Sequence, residues 1–234
     1  MERNNIWQQS VNLLDKVLQG TSGLNLPRGD RGDYWPAVVT VFLSQANERL
    51  YSIRLLLDNN CEESSALLAR SMFELAVNLA YIANNPAKRL PTYLKHGGIP
   101  LTNKEAQQLQ QKLAQEQPPE VKDVVPGRTW MRLKNMCCDL GSSWLKEYET
   151  FYRYASVPTH AGSFTFGKNY EQLLKQQPPS DRDRATVLVT ALDFHLRVAD
   201  VAATVFPEQI KIDTVRELAS ECSGLGLDLA KGKV

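Results

Sequence analysis

A chain of 234 residues, 43% of them hydrophobic, is long and apolar enough to bury the core of one domain or of a closely packed pair. Lys and Arg total 27 against 26 Asp and Glu, and a net charge of +1 excludes a global field drawing the protein to nucleic acid or to an anionic membrane. Any such binding needs a local patch.

Trp7, Val11, Leu14 and Leu18 recur at helical spacing and predict a first helix. The turn-rich stretch GTSGLNLPRGDRGDYWP follows, and its doubled Arg-Gly-Asp reads as a solvated loop. A second helix runs from about Pro36 to Asp58 with Val39, Phe42, Ala46, Leu50, Ile53 and Leu57 on its buried stripe. Pro36 suits the first turn, where a missing N–H costs nothing. A third helix, about Glu62 to Ala83, puts Leu68, Met72, Leu75, Leu79 and Ile82 on one face, and the short link predicts an antiparallel hairpin.

Pro86 to Gly97 reads as a short helix closed by HGG, and Thr102 to Gln117 as a polar surface helix. Helices are also expected over Thr129–Leu140 and Ser143–Ala155, with residues 161–183 irregular. The most apolar long stretch is Ala185–Phe206. Asp193, His195, Arg197 and Asp200 inside it make a membrane span costly, so a buried helix is predicted from about Arg184 to Phe206. Pro207 begins a last helix to about Cys222, leaving residues 223–234 as a frayed tail. The expected fold is all-α: a single-domain bundle of six to eight helices over residues 1–222, with the antiparallel hairpin and the Arg184–Phe206 segment at its centre.

The four cysteines, Cys61, Cys137, Cys138 and Cys222, show no zinc-ligand spacing. Thiols without a secretory leader, after the polar start MERNNIWQQS, point to the cytoplasm. P-loop, Gly-x-Gly-x-x-Gly, His-Glu-x-x-His and Gly-x-Ser-x-Gly motifs are all missing, so neither metal nor cofactor is expected.

Arg70, Glu74, Asn78 and Tyr81 form a polar ladder on the third helix, away from its apolar stripe. Such a ladder either faces solvent or lines a polar cleft. Downstream, FYRYASVPTH closes an aromatic helix that Val157-Pro158 breaks. His160 follows the break, with Tyr154 and Ser156 close in sequence. A histidine there can act as general acid or base, or can satisfy helix-end carbonyls. His195, in line with Leu188, Leu192, Ala199 and Ala202, is predicted to be a hydrogen-bonded core histidine, and His96 a helix C-cap residue.

LLARSMFELAVNLAYI (67–82) together with YASVPTH (154–160) resembles a bacterial family of helical proteins known only as a domain of unknown function. That family pairs an Arg-x-x-x-Glu helix with a later Tyr-x-Ser-x-x-x-His segment. The resemblance covers roughly Gln45 to Gly167 and implies that Arg70, Glu74, Tyr154, Ser156 and His160 meet in space. It implies no reaction.

Arg153 to His160 is also an Arg-x6-His pattern, similar to the signature of HEPN ribonucleases, which are all-helical toxin and defence proteins. This second resemblance implies a homodimer that cuts RNA without metal, with Arg153 holding phosphate and His160 moving protons. Tyr154 stands where that family has a small polar residue, Pro158 interrupts the motif's helix, and Arg89 and His96 repeat the same spacing. Lys122, Arg128, Arg132 and Lys134 near Trp130 suit single-stranded RNA, or ordinary solvated charge, equally well. The alternative is a non-catalytic module binding a partner protein or a small anionic ligand, anchored by the donor fork of Arg70.

Overall fold

A computed structural model describes residues 5–22, 33–99, 101–115, 131–152 and 180–232. Among these residues the fold is all-α, without strands: α1 (Ile6–Thr21), α2 (Tyr34–Asp58), α3 (Glu62–Asn84), α4 (Pro86–His96), α5 (Asn103–Gln115), α6 (Leu133–Leu140), α7 (Ser142–Glu147), a π-helical turn (Tyr148–Tyr152), α8 (Asp181–Val205) and α9 (Ile212–Lys231). That is nine α-helices among the described residues, one above the expected upper bound.

The helix ends follow their local chemistry. Asn5 caps α1 by accepting the Trp7 N–H at 2.9 Å, and Ser180 caps α8 by accepting that of Asp183 at 3.1 Å. Thr102 and Glu105 form a capping box at α5: the Glu105 N–H donates to the threonine hydroxyl while the Thr102 N–H donates to the Glu105 carboxylate. Asn60, with φ +56°, supplies the left-handed residue that turns α2 back into α3.

α2, α3 and α8 pack against one another at the centre, while α1 and α9 cover α8. Met72, Phe73, Val77, Leu79 and Ile82 have no exposed surface, nor do Ala46, Leu50 and Ile53 of α2 or Leu188 and Leu192 of α8. Phe73 meets Phe194 edge-on, with ring centroids 5.1 Å apart. α3 is also the one described helix long and apolar enough to cross a membrane, but half of its most apolar window is buried within this bundle.

The C-terminal region departs from expectation. α9 begins at Ile212 rather than Pro207 and continues through the supposed frayed tail to Lys231. Leu225 and Leu229 extend its buried stripe, and Gly226 has only Val189 Cγ1 near it, at 3.9 Å. Arg182 donates to the Leu229 carbonyl at 2.8 Å, and Gly232 ends the helix at φ +64°.

One polar junction crosses this core. Asn47 Nδ2 donates to the Thr21 carbonyl at 2.8 Å, so its Oδ1 must be the atom 2.7 Å from His195 Nε2. His195 therefore carries its proton on Nε2 and donates, as expected for a core histidine. Its Nδ1 is a buried lone pair without a partner. Burial lowers the His195 pKa to about 4, so the ring is neutral in the fold.

This predicts an acid-sensitive stability. The unfolded histidine takes a proton near its ordinary value of 6.5 and the folded one does not until about 4, so stability falls as pH drops through that window. Between pH 7.5 and 5.5 the loss from this residue should be about 1.4 kcal/mol. Urea unfolding at the two values checks it, and His195→Gln should flatten the difference.

Candidate functional site

The bundle's outer groove is set by two helical segments. α3 carries Arg70 and Glu74 one turn apart, and the π turn delivers Tyr152 onto them. Arg70 Nη2 donates to the Tyr152 hydroxyl at 2.7 Å, and that hydroxyl donates to Glu74 Oε1 at 2.8 Å. Arg70 and Glu74 are 3.6 Å apart, and the guanidinium carbon lies 4.5 Å from the centroid of the Tyr152 ring. The phenol thus bridges cation and carboxylate, replacing the short direct ion pair the sequence spacing allows.

Aromatic packing holds Tyr152 in place. Its ring stacks on Tyr148 at 5.1 Å and leans on Phe73 at 5.6 Å. Tyr152 is the last residue of this π turn, whose wider i→i+5 bonding is a feature frequent at functional sites. Burial raises the Tyr152 pKa; the Arg70 hydrogen bond opposes this and the Glu74 bond reinforces it. The phenol is therefore a protonated donor at neutral pH.

A second cluster positions the first. Arg197 of α8 bonds Glu147 through both carboxylate oxygens, at 2.7 and 2.5 Å, and Asp193 at 2.7 Å. It also lies 4.5 Å from the Trp144 ring centroid. Burial alone would lower the Arg197 pKa, but the two carboxylates outweigh it and raise the value. This fork pins α7 to α8, and the π turn follows directly from α7.

Across the hairpin, α2 contributes Arg49. Among the described residues its Nη1 is buried without a hydrogen-bond partner, as are Arg70 Nε, Arg54 Nη1, Arg89 Nε and Arg184 Nε. Burial lowers the Arg49 pKa, while Glu48 and then Glu74 act to raise it. A guanidinium still remains charged at any physiological pH.

The polar ladder divides below Glu74. Asn78 donates back to the Glu74 carbonyl at 2.7 Å. Tyr81 is buried rather than lining the groove, with the Arg89 guanidinium 3.7 Å from its ring centroid and Arg89 Nη1 donating to its carbonyl at 2.6 Å. That lower half fastens α4 to α3.

Of the residues singled out in the sequence, Arg70 and Glu74 do meet. Arg153, Tyr154, Ser156 and His160 lie outside the described residues, as do Lys122, Arg128 and Trp130. Arg132 and Lys134 are exposed, and His96 is the last residue of α4 rather than its C-cap, which is Gly97. Tyr152 and Arg49 were not expected. The signal for Arg49 is its place beside the buried positions Ala46, Leu50 and Ile53. For Tyr152 it is an aromatic run with more rings than one helix face can bury.

Among the described residues no His, Cys, Asp and Glu cluster could hold a metal ion. All four cysteines are free; burial pushes the Cys137 and Cys222 thiols up to about 12, far from reactive thiolates.

A profile of the family of unknown function DUF5677 matches residues 37–173, more than half of the chain. The chain belongs to this family. The match contains the Gln45–Gly167 span, and both α3 and the π turn fall inside it. No curated protein and no solved structure matches the chain significantly.

The bridging geometry makes a stability prediction. Tyr152→Phe keeps the ring packing and removes the hydroxyl, and should cost about 1 kcal/mol in urea unfolding. In a double-mutant cycle with Glu74→Gln the two changes should couple by about 0.5 kcal/mol or more. Additive effects would show that the bridge does not form in solution.

Proposed function

We propose that this DUF5677 protein is a HEPN-like, metal-independent RNA-cleaving protein of the toxin or defence type, acting as a homodimer in the bacterial cytoplasm. One observation carries the reading. Tyr152, held between Arg70 and Glu74, directly precedes Arg153 in the chain. The segment Arg153–His160 follows Tyr152 without a gap in the sequence.

In this reading Arg153 and Arg70 hold a phosphodiester, for which a planar fork of donors is well matched. Tyr154 and Ser156 supply further hydrogen bonds. His160, or His160 of the partner subunit, takes the proton of the ribose 2′-OH. The 2′-oxygen bonds to phosphorus, the bond to the 5′-oxygen breaks, and the leaving oxygen is protonated by imidazolium. Products are a 2′,3′-cyclic phosphate and a 5′-hydroxyl, with no other reactant consumed.

A second reading has its own observation. The Arg70 side chain stays partly exposed while Tyr152 and Glu74 orient it, so its donor fork can meet an anionic group even without chemistry. The protein would then be a non-catalytic module holding a small anionic ligand or an acidic segment of a partner protein.

Incubation with total RNA in the presence of a chelator separates the two. The nuclease reading expects fragments with 5′-hydroxyl ends, lost in His160→Ala and reduced at least tenfold in Arg153→Ala. Intact RNA with the wild type, or cleavage that survives His160→Ala, leaves the binding module standing.

A further inference from the structure

α7 and the π turn differ from the rest of the bundle in one respect. Among the described residues every other helix buries at least two side chains, whereas Ser142–Tyr152 buries none. Apolar groups are not lacking: Trp144, Leu145, Tyr148, Phe151 and Tyr152 all stop at partial exposure. Burial is what makes opening costly. A segment with few buried apolar contacts opens at a lower free energy than the core beneath it.

The segment is fastened by the tips of a few side chains. Trp144 and Tyr152 lean on Phe73, with centroids 6.2 and 5.6 Å apart, and Phe151 leans on Phe194 at 5.2 Å. Phe73 and Phe194 are core residues; the rings that reach them are not. Glu147, the last residue of α7, gives both carboxylate oxygens to Arg197. At the far end the Tyr152 hydroxyl engages Arg70 Nη2 and Glu74 Oε1.

At the near end stands Gly141, with φ +111° and ψ 176°, a conformation essentially confined to glycine. Apart from its chain neighbours, nothing comes within 4 Å of the place a Cβ would take there. The helix before it, α6, is anchored through the buried Met136 and Cys137. The chain therefore passes from an anchored helix, through a glycine, into a segment held only from its sides.

We propose that Ser142–Tyr152 is a latched cover that swings about Gly141, with Arg197 and Glu147 as the latch, and that opening withdraws the Tyr152 hydroxyl and releases Arg70 and Glu74 together. One hydroxyl engages both groups, so one motion frees both. Asp193 lowers the cost of opening. It lies one turn from Arg197 on α8 and bonds it at 2.7 Å, so the guanidinium keeps a carboxylate when Glu147 leaves. The latch itself is within reach of water, with 26% of each side chain accessible. The inference rests on Arg70 and Glu74 being what a ligand meets, as in both readings above, and not on RNA being cut.

Two measurements on the full chain without ligand test it. Native-state hydrogen exchange by NMR, over a series of low urea concentrations, reads opening at each amide. Phenylglyoxal modification, mapped by peptide mass, reads the accessibility of Arg70. In the wild type the amides from Leu145 to Tyr152 should exchange as a group, at least tenfold faster than those from Met72 to Leu79, and with a weaker urea dependence. Glu147→Gln, which keeps the shape and removes the charge, should speed both the exchange of the segment and the modification of Arg70 by fivefold or more.

Exchange of the segment at the rate and urea dependence of Met72–Leu79 would mean that it opens only when the whole bundle unfolds, and would overturn the proposal. So would an unchanged rate in Glu147→Gln, or faster exchange there without faster modification of Arg70. Neither measurement involves RNA. Intact RNA with the wild type removes the nuclease reading and leaves the latch standing; exchange in step with the core removes the latch and leaves cleavage to be judged by its own experiment.

Discussion

α3 must be buried on two sides at once, and that requirement governs the rest of the molecule. A helix packed against both α2 and α8 spends most of its circumference on apolar contact, which is why Met72, Phe73, Val77, Leu79 and Ile82 lose all exposure. Arg70 and Glu74 lie on the part of α3 that this apolar packing leaves partly exposed. The rigidity of the site is inherited from the core beneath it: Phe73, one residue before Glu74, is in ring contact with Phe194 and Tyr152 together.

Several arginines hold the architecture together through carboxylates and ring faces. Arg197 locks α7 to α8 with three bonds to two carboxylates, and Trp7 is flanked by Arg54 and Arg184, at 4.9 and 4.8 Å from its ring centroid, each of which also pairs with an aspartate. Among the described residues, Arg49, Arg54, Arg70, Arg89 and Arg184 each keep one buried nitrogen without a hydrogen-bond partner, so the arginines of the structural clusters and those beside Tyr152 are alike in this respect. Burying polar groups without partners works against stability.

Fold and site were legible to different degrees for the same physical reason. Helix periodicity is written in every turn, so α2, α3 and α8 emerge from Val39 to Leu57, Leu68 to Ile82 and Leu188 to Ala202 without reference to anything distant. Ends that depend on tertiary contact were harder. The glycines of GLGLDLAKG argue locally for fraying, yet Leu225 and Leu229 find α8 and α1 to pack on, and the helix persists to Lys231. Arg70 and Glu74 were readable because their spacing is intrahelical. Tyr152 was not, because a π turn shifts the register on which any periodic argument depends. Arg49 carries no local mark except its place at the edge of an apolar stripe.

The bridging phenol also bears on what the groove can do. A direct Arg70–Glu74 ion pair would consume both groups, and an exposed pair of that kind contributes little to stability. With the Tyr152 hydroxyl interposed, Glu74 accepts a neutral donor while still facing Arg70 at 3.6 Å, a distance at which the opposite charges attract. Arg70 is oriented by a hydrogen bond to the phenol and by the face of its ring. Because Tyr152 is itself fixed by Phe73, Tyr148 and, through α7, by Arg197, the placement of Arg70 is a property of the whole α3–α7–α8 packing and not of one turn of helix.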